Sequence, residues 1–435
     1  MFVRNALDGG TARFAVFMAP GVVSASIVFF IGGCGLNLGS QPGDGPSPLS
    51  TLSAINLDNI PVYHENDANA GAPGLVRAES VAVYEQPQAI SGRISGGGDI
   101  DVYDLGPVEP GDRIIVDLAA DDSLNAVLAL FDDTGSALLV NDHRNVYLGR
   151  TGPFIDVVIR RPSPSCFVAL TSTPGYDSAG DYVLTAIDEY PTPIPDPRED
   201  VILLDFERSS NVRVGNRPAI NVPAFDSAGI SSTFDGETDE MVAWIVAFVR
   251  ADFAAYDVTI LSTSEGAQYE RTMSRVHFGA IDPALLGVAE GVDEYNATSG
   301  QEAIVFTDTF SAFMPLNPSV SEMAQALANV ASHEIGHLLG LIHTNNPDDL
   351  MDVTANLNQL LFDQGFARSP IYTAVFPLGY QDAVQSLLDA VGGDSQLAHQ
   401  QSESRNRSKI FVSARPWSPP ARTSCLFSGC GLHGH

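Results

Sequence analysis

His333-Glu334-Ile335-Gly336-His337-Leu338-Leu339-Gly340-Leu341-Ile342-His343 is the stretch on which the reading of this chain turns. It fits the pattern H-E-x-x-H-x-x-G-x-x-H, and each fixed position has a chemical task. On a helix, His333 and His337 lie one turn apart on the same face, so both imidazoles can hold one zinc ion. Glu334 stands beside the first ligand, where its carboxylate can take a proton from a water activated by the ion. Gly340 lets the chain leave the helix in a conformation that a residue with a Cβ adopts only at a cost. That turn returns His343 as a third ligand and leaves a fourth coordination position for water, as in catalytic zinc sites. Five fixed residues at this spacing arise by chance in about one of 10⁵ chains of this length. An accidental cluster of core histidines therefore does not account for them.

The residues after the motif narrow the reading. Thr344-Asn345-Asn346-Pro347-Asp348-Asp349-Leu350-Met351-Asp352 places Met351 eight residues beyond His343. The long histidine motif followed by such a methionine resembles the metzincin metalloproteases, and the short spacing with Asp349-Leu350-Met351 looks most like the matrixins. The resemblance covers roughly residues 198–393, with specific motifs only in 333–351. It implies a twisted mixed sheet with the zinc helix below it, peptide-bond hydrolysis, protein or peptide substrates, and Met351 as an apolar floor beneath the ligands. Relatives with an extra tyrosine ligand carry it two residues after this methionine. Here that position is Val353, so no tyrosine ligand is expected. Matrixins also hold a structural zinc through several upstream histidines. Between Arg198 and the motif this chain has only His277, read as a strand histidine, so one zinc per chain is expected. Matrixin latency uses a pro-segment cysteine in a Pro-Arg-Cys-Gly setting, which this sequence lacks.

The chain has 435 residues, enough for two ordinary domains plus tails. Its 53 acidic and 22 basic residues give a net charge of −31, and Lys409 is the only lysine. Such a surface repels phosphate backbones, which argues against nucleic acid as a partner. From about Glu85 to Asp188, short alternating or wholly apolar runs such as Arg113–Leu118 and Ala126–Phe131 are separated by Gly, Asp, Asn and Pro. They predict a β-sandwich. The sequence Gly98-Asp99-Ile100-Asp101-Val102-Tyr103-Asp104, then Leu130–Gly135, then Gly180–Leu184, resembles the bacterial pre-peptidase C-terminal domain, although here it precedes the peptidase-like part. Its aspartates are candidates for Ca2+, and turn aspartates without metal are the commoner case. The expected fold class is thus an α+β metzincin-like domain with an active-site helix, preceded by an all-β sandwich.

A proline-rich bridge at 190–197 marks the domain boundary. Beyond it come strands at Val201–Phe206, Val258–Thr263, Ser274–Phe278 and Ala303–Thr307. A helix spans Glu237–Phe253 with Met241, Trp244, Ile245, Phe248 and Val249 as its apolar stripe. Ser319 and Glu322 form a capping-box pattern that opens the motif helix. Leu285–Glu290 looks like an edge strand that could align an extended substrate. Phe376–Gly392 resembles the last matrixin helix, and 394–435 reads as a disordered tail.

At the other end, Arg4 and Arg13 precede an uncharged run from Phe14 to Gly33, an export signal. Ile31-Gly32-Gly33-Cys34 resembles a bacterial lipobox, which implies cleavage, lipid on Cys34 and attachment to a membrane. The readings are residues 1–34 as signal, 35–84 as flexible tether, 85–189 as sandwich and 198–393 as metalloprotease domain. Plain secretion and a spanning anchor helix are the alternatives for export. Cys425 and Cys430 can close a small disulfide loop, and Cys166 reads as a buried thiol. Together these observations predict an exported, lipid-anchored zinc endopeptidase. A zinc amidase and a non-catalytic surface-binding lipoprotein are its rivals.

Overall fold

A computed structural model describes residues 79–80, 88–142, 152–189 and 192–413. The signal, Cys34, most of the tether and the Cys425–Cys430 pair lie outside these residues.

The first unit is all β. Its strands are β1 (Glu79–Ser80), β2 (Gln88–Ile94), β3 (Ile100–Asp104), β4 (Arg113–Ala120), β5 (Ala126–Phe131), β6 (Ala137–Asn141), β7 (Phe154–Val158), β8 (Phe167–Ser172) and β9 (Gly180–Glu189). They form two sheets, ordered β1-β3-β8-β5-β6 and β2-β9-β4-β7, antiparallel except for β1 against β3. The facing sheets bury Ile90, Val116, Leu128, Leu170 and Leu184 between them, and the buried Cys166 belongs to this core. The run Ala126–Phe131 is apolar throughout because both of its faces are covered. Ala126, Leu128 and Leu130 point into the sandwich, while Val127, Ala129 and Phe131 join Val292, Ile342, Ile371, Phe376 and Leu378 of the second unit. One outer face of the sandwich is therefore an interface with the second unit.

The second unit is built on a five-stranded sheet of order β13-β10-β14-β16-β15. These strands are β10 (Asp200–Asp205), β13 (Val258–Ser262), β14 (Ser274–Phe278), β15 (Gly287–Ala289) and β16 (Glu302–Val305). Only β15 is antiparallel, and it forms one edge, with β13 at the other. A hairpin of β11 (Ser209–Val212) and β12 (Ile220–Val222) covers the sheet face that carries Ile304 and Val288. The opposite face, with Ile202, Leu204, Val276 and Val305, packs on the long helices Thr238–Asp252 and Val320–Leu338. A ribbon of β17 (Arg368–Pro370) and β18 (Tyr380–Asp382) then leads into the helix Ala383–Val391.

Two expectations need correction. In the first helix, Met241, Ile245 and Val249 are buried, but Trp244 lies on the rim, 41% exposed and stacked on Phe248 at 5.4 Å. Its apolar body is satisfied by that neighbour rather than by the core. The disordered tail expected from 394 is not what the chain forms up to residue 413: Ser395–Ser413 is a helix. Ala398 is buried in the main core, and Arg405 reaches Asp252 at 2.9 Å. A polar composition hid two anchoring residues. Residues 414–435 lie outside the described part. Among the described residues no helix is long and apolar enough to cross a membrane.

Candidate metal centre

The motif helix starts where the sequence signals it. Ser319 is extended and its hydroxyl accepts the Glu322 N–H, while the Glu322 carboxylate accepts the Ser319 N–H at 2.7 Å. From Met323 to Leu338 every residue of this helix is buried. The ligand-bearing positions are thus enclosed by other elements.

His333 and His337 stand one turn apart with ring centroids 4.7 Å from each other. The helix then closes on Gly340, whose φ is +99°, and the Gly340 N–H donates to the His337 carbonyl at 3.0 Å. A Cβ there would also lie 2.9 Å from the Asp293 carbonyl oxygen, so glycine answers both a backbone and a packing demand. The turn returns His343. Its Nε2 lies 3.0 Å from Nε2 of His337, which lies 3.1 Å from Nε2 of His333.

On the two helical ligands the other ring nitrogen is occupied. Nδ1 of His333 faces the Leu350 carbonyl at 2.6 Å, and Nδ1 of His337 faces the Leu341 carbonyl at 2.7 Å. A carbonyl only accepts, so each Nδ1 carries the hydrogen and each Nε2 keeps a free lone pair. Burial lowers the basicity of all three rings: His337 falls to about 4, and His333 and His343 fall well below the usual histidine value, helped by the neighbouring imidazoles. Neutral imidazoles are the ligand form. Zinc at about 2.0–2.1 Å from each of three tetrahedral nitrogens sets them about 3.3 Å apart. The separations from His337 to each of the other two lie within a few tenths of an ångström of this, and all three ligand atoms lie within 4.8 Å of one another, so the donor set fits this ion. Among the described residues, no other three His, Cys, Asp or Glu side chains come this close together.

Glu334 is fully buried, and neither carboxylate oxygen has a hydrogen-bond partner of ordinary geometry. Burial pushes its carboxyl well above the usual range, against a pull from the Ala289 backbone. It lies beneath edge strand β15, where a Cβ on Gly287 would stand 2.5 Å from its Oε1. Met351 is fully buried, in a turn tied by Asp349 to the Met351 N–H at 3.2 Å and to the Thr344 hydroxyl at 2.9 Å. Its sulfur packs against Gly336, between the two helical ligands. Val353 is buried and offers no ligand atom.

The structure brings His333, Glu334, His337, His343 and Met351 together. It adds Gly287, Gly336 and Gln381, which sequence reasoning missed, and gives Asp349 the task of tying the methionine turn. Gly336 fills a free position of the motif, and Gly287 and Gln381 lie far from it along the chain. His277 is not at the centre; it stands in β14 between Asp205 and Glu302.

Residues 231–362 match the family model described as matrixin. This fold and this histidine triad make the second unit a metzincin-like α+β domain, and the match supports zinc metalloprotease chemistry in general terms. No curated protein matches the chain. Among solved structures it is similar to an archaemetzincin from Methanopyrus kandleri, at 13% identity over 47% of this chain and 94% of that one, with a TM-score of 0.23. It is also similar to the pre-peptidase C-terminal domain of a collagenase from Bacillus anthracis, at 14% identity over 26% and 97% of the two chains, TM-score 0.21. A periplasmic inhibitor of g-type lysozyme from Aeromonas hydrophila gives 14%, 26%, 98% and 0.21 in the same order.

Proposed function

We propose that the chain is a zinc-dependent endopeptidase that hydrolyses protein substrates outside the cytoplasm, with Glu334 as its general base. One observation carries this reading: three imidazole Nε2 atoms, each within 3.1 Å of a neighbour, converge beside the fully buried carboxylate of Glu334. Zinc held by His333, His337 and His343 would supply Lewis acidity to a scissile carbonyl and to a water. Glu334 takes the proton of that water and passes it to the leaving amine. Its enclosure strengthens each charge interaction on the way. β15 lies at an edge of the sheet beside Glu334, where an extended peptide can be held by strand addition.

Export and lipid attachment at Cys34 belong to the same proposal. They rest on the uncharged run ending Ile31-Gly32-Gly33-Cys34 and on the polar, Gly/Ser/Pro-rich stretch behind it. Calcium bound by turn aspartates of the sandwich would be an addition to this reading, not a requirement of it.

The test uses the full chain. Casein or a peptide library should be cleaved, cleavage should stop with a zinc chelator, and Glu334→Gln should retain about one zinc while losing turnover by several orders of magnitude. Unchanged turnover in Glu334→Gln overturns the mechanism. Chelator-sensitive cleavage of non-protein amides alone would favour an amidase. Mass spectrometry of the native N-terminus decides whether Cys34 begins the mature chain with lipid.

A further inference from the structure

His343 is the one ligand that the motif helix does not carry, so its position must be set by other parts of the chain. Both backbone polar groups of the preceding residue are held by a single side chain. The Ile342 N–H donates to Oε1 of Gln381 at 2.6 Å, and Nε2 of Gln381 donates to the Ile342 carbonyl at 2.8 Å. A two-point contact fixes the rotation of that segment as well as its place. Gln381 is itself buried and lies in β18 opposite Ser369 of β17. In the segment that joins β17 to β18, the Tyr372 N–H donates to the His343 carbonyl at 2.9 Å.

The far side of the ribbon is gripped by the sandwich. The Tyr380 N–H donates to the Gly135 carbonyl at 2.9 Å. Arg368 donates to Oγ of Ser136 at 3.0 Å and to the Thr134 carbonyl at 2.7 Å, with its guanidinium 3.9 Å from the Tyr380 ring centroid. That turn is stiffened by Asp132, whose Oδ1 accepts from the Thr134 N–H, the Thr134 hydroxyl and the Ser136 N–H. Beside it, Phe131 packs on Phe376 at 5.7 Å, and the Ile342 side chain is buried in the same interdomain cluster.

We propose that Gln381 is a positioning residue for the third metal ligand and that the sandwich holds its ribbon in register. The sandwich is then a structural part of the metal centre rather than an independent module. The inference rests on the three histidines holding zinc. Partners that orient a ligand typically change metal affinity 10–100-fold when removed.

The experiment is zinc affinity of the full chain, measured by competition with a chromophoric chelator, beside thermal unfolding of the zinc-free protein. Gln381→Met removes both hydrogen bonds at similar length, and zinc affinity should fall about 10–100-fold. Arg368→Met loosens the ribbon from the sandwich without touching Ile342, and affinity should fall in the same direction by a smaller factor. A residue that only stabilises the fold would lower the melting temperature and leave zinc affinity unchanged well below it. Unchanged affinity in folded Gln381→Met overturns the proposal. Where Gln381→Met does not fold, unchanged affinity in Arg368→Met overturns it. His337→Ala should abolish zinc binding, and a wild-type chain that takes up no zinc overturns the metal reading itself.

Discussion

The sulfur of Met351 lies 2.5 Å from the point that a Cβ on Gly336 would occupy. Gly336 stands between the two helical ligands, so the methionine turn reaches the helix only because this position has no side chain. Gly336→Ala should push Met351 and its turn away and cost about 1–3 kcal/mol, the range for overpacking a closed core. Met351→Leu, which keeps the volume, should cost less than about 1.5 kcal/mol. Chemical denaturation of the two zinc-free variants checks the order; an alanine variant as stable as wild type contradicts it.

The helix Ser395–Ser413 should matter for stability through one ion pair. Asp252 is buried, accepts from the Ser332 hydroxyl at 2.6 Å and pairs with Arg405 at 2.9 Å. Burial, opposed by Arg405, raises its carboxyl to about 7. A folded value above the unfolded one contributes stability at low pH that is lost as pH rises toward 7. Arg405→Ala should therefore destabilise the protein more at pH 8 than at pH 5, and Asp252→Asn in that background should recover part of the loss. Equal destabilisation at both pH values would count against the pair.

A second buried charge group lies on the sheet face away from the long helices. Nε2 of His277 meets Glu302 at 2.7 Å, and its Nδ1 is 3.4 Å from Asp205, within ion-pair reach though without hydrogen-bond alignment. Arg275 pairs with Glu302 at 2.9 Å. Burial pulls the basicity of His277 down, but Asp205 and Glu302 outweigh it and the net shift is upward. For both carboxyls burial pulls upward, but His277, together with the Glu207 N–H and Ser209 for Asp205 and Arg275 for Glu302, prevails and lowers them. The histidine's contribution is complete below about pH 6.5 and fades as pH rises through its raised value; the carboxylates' contribution is present above about pH 4 and fades on acidification. Melting temperature should therefore be highest between these limits. His277→Gln should flatten the alkaline side and cost about 3 kcal/mol or more near pH 6.

The candidate metal centre was legible because the chemistry it fits demands fixed residue types at fixed helical spacing. The capping box at Ser319 and the left-handed turn at Gly340 are local signals of the same kind, and both took the form that the sequence predicts. Ala126–Phe131 announced a buried strand, but the second surface that buries it comes from residues 292–378. No local pattern carries that information. Gln381 and Gly287 lie 38 positions after and 56 positions before His343 by their numbering, and each acts through a contact that only the fold creates. Arg405 was concealed by the opposite effect, since one partly buried arginine is invisible in a stretch whose average is polar.

Gly287 carries the last prediction. It lies in edge strand β15 directly over the general base that we assign, and a Cβ there would stand 2.5 Å from Oε1 of Glu334 and 2.8 Å from Cγ1 of Val330. The motif helix is buried on every side at this level, so Glu334 cannot retreat without disturbing the core. Gly287→Ala should therefore displace the carboxylate while leaving the histidines, which lie on other bonds, in place. A misplacement of about 1 Å near a reacting group can cost about 10²-fold in rate. The expected result is full zinc content with kcat lowered at least tenfold and KM changed less. Loss of zinc would instead mean that the strand supports the ligands, and unchanged kcat would mean that Glu334 tolerates the shift or is not the base.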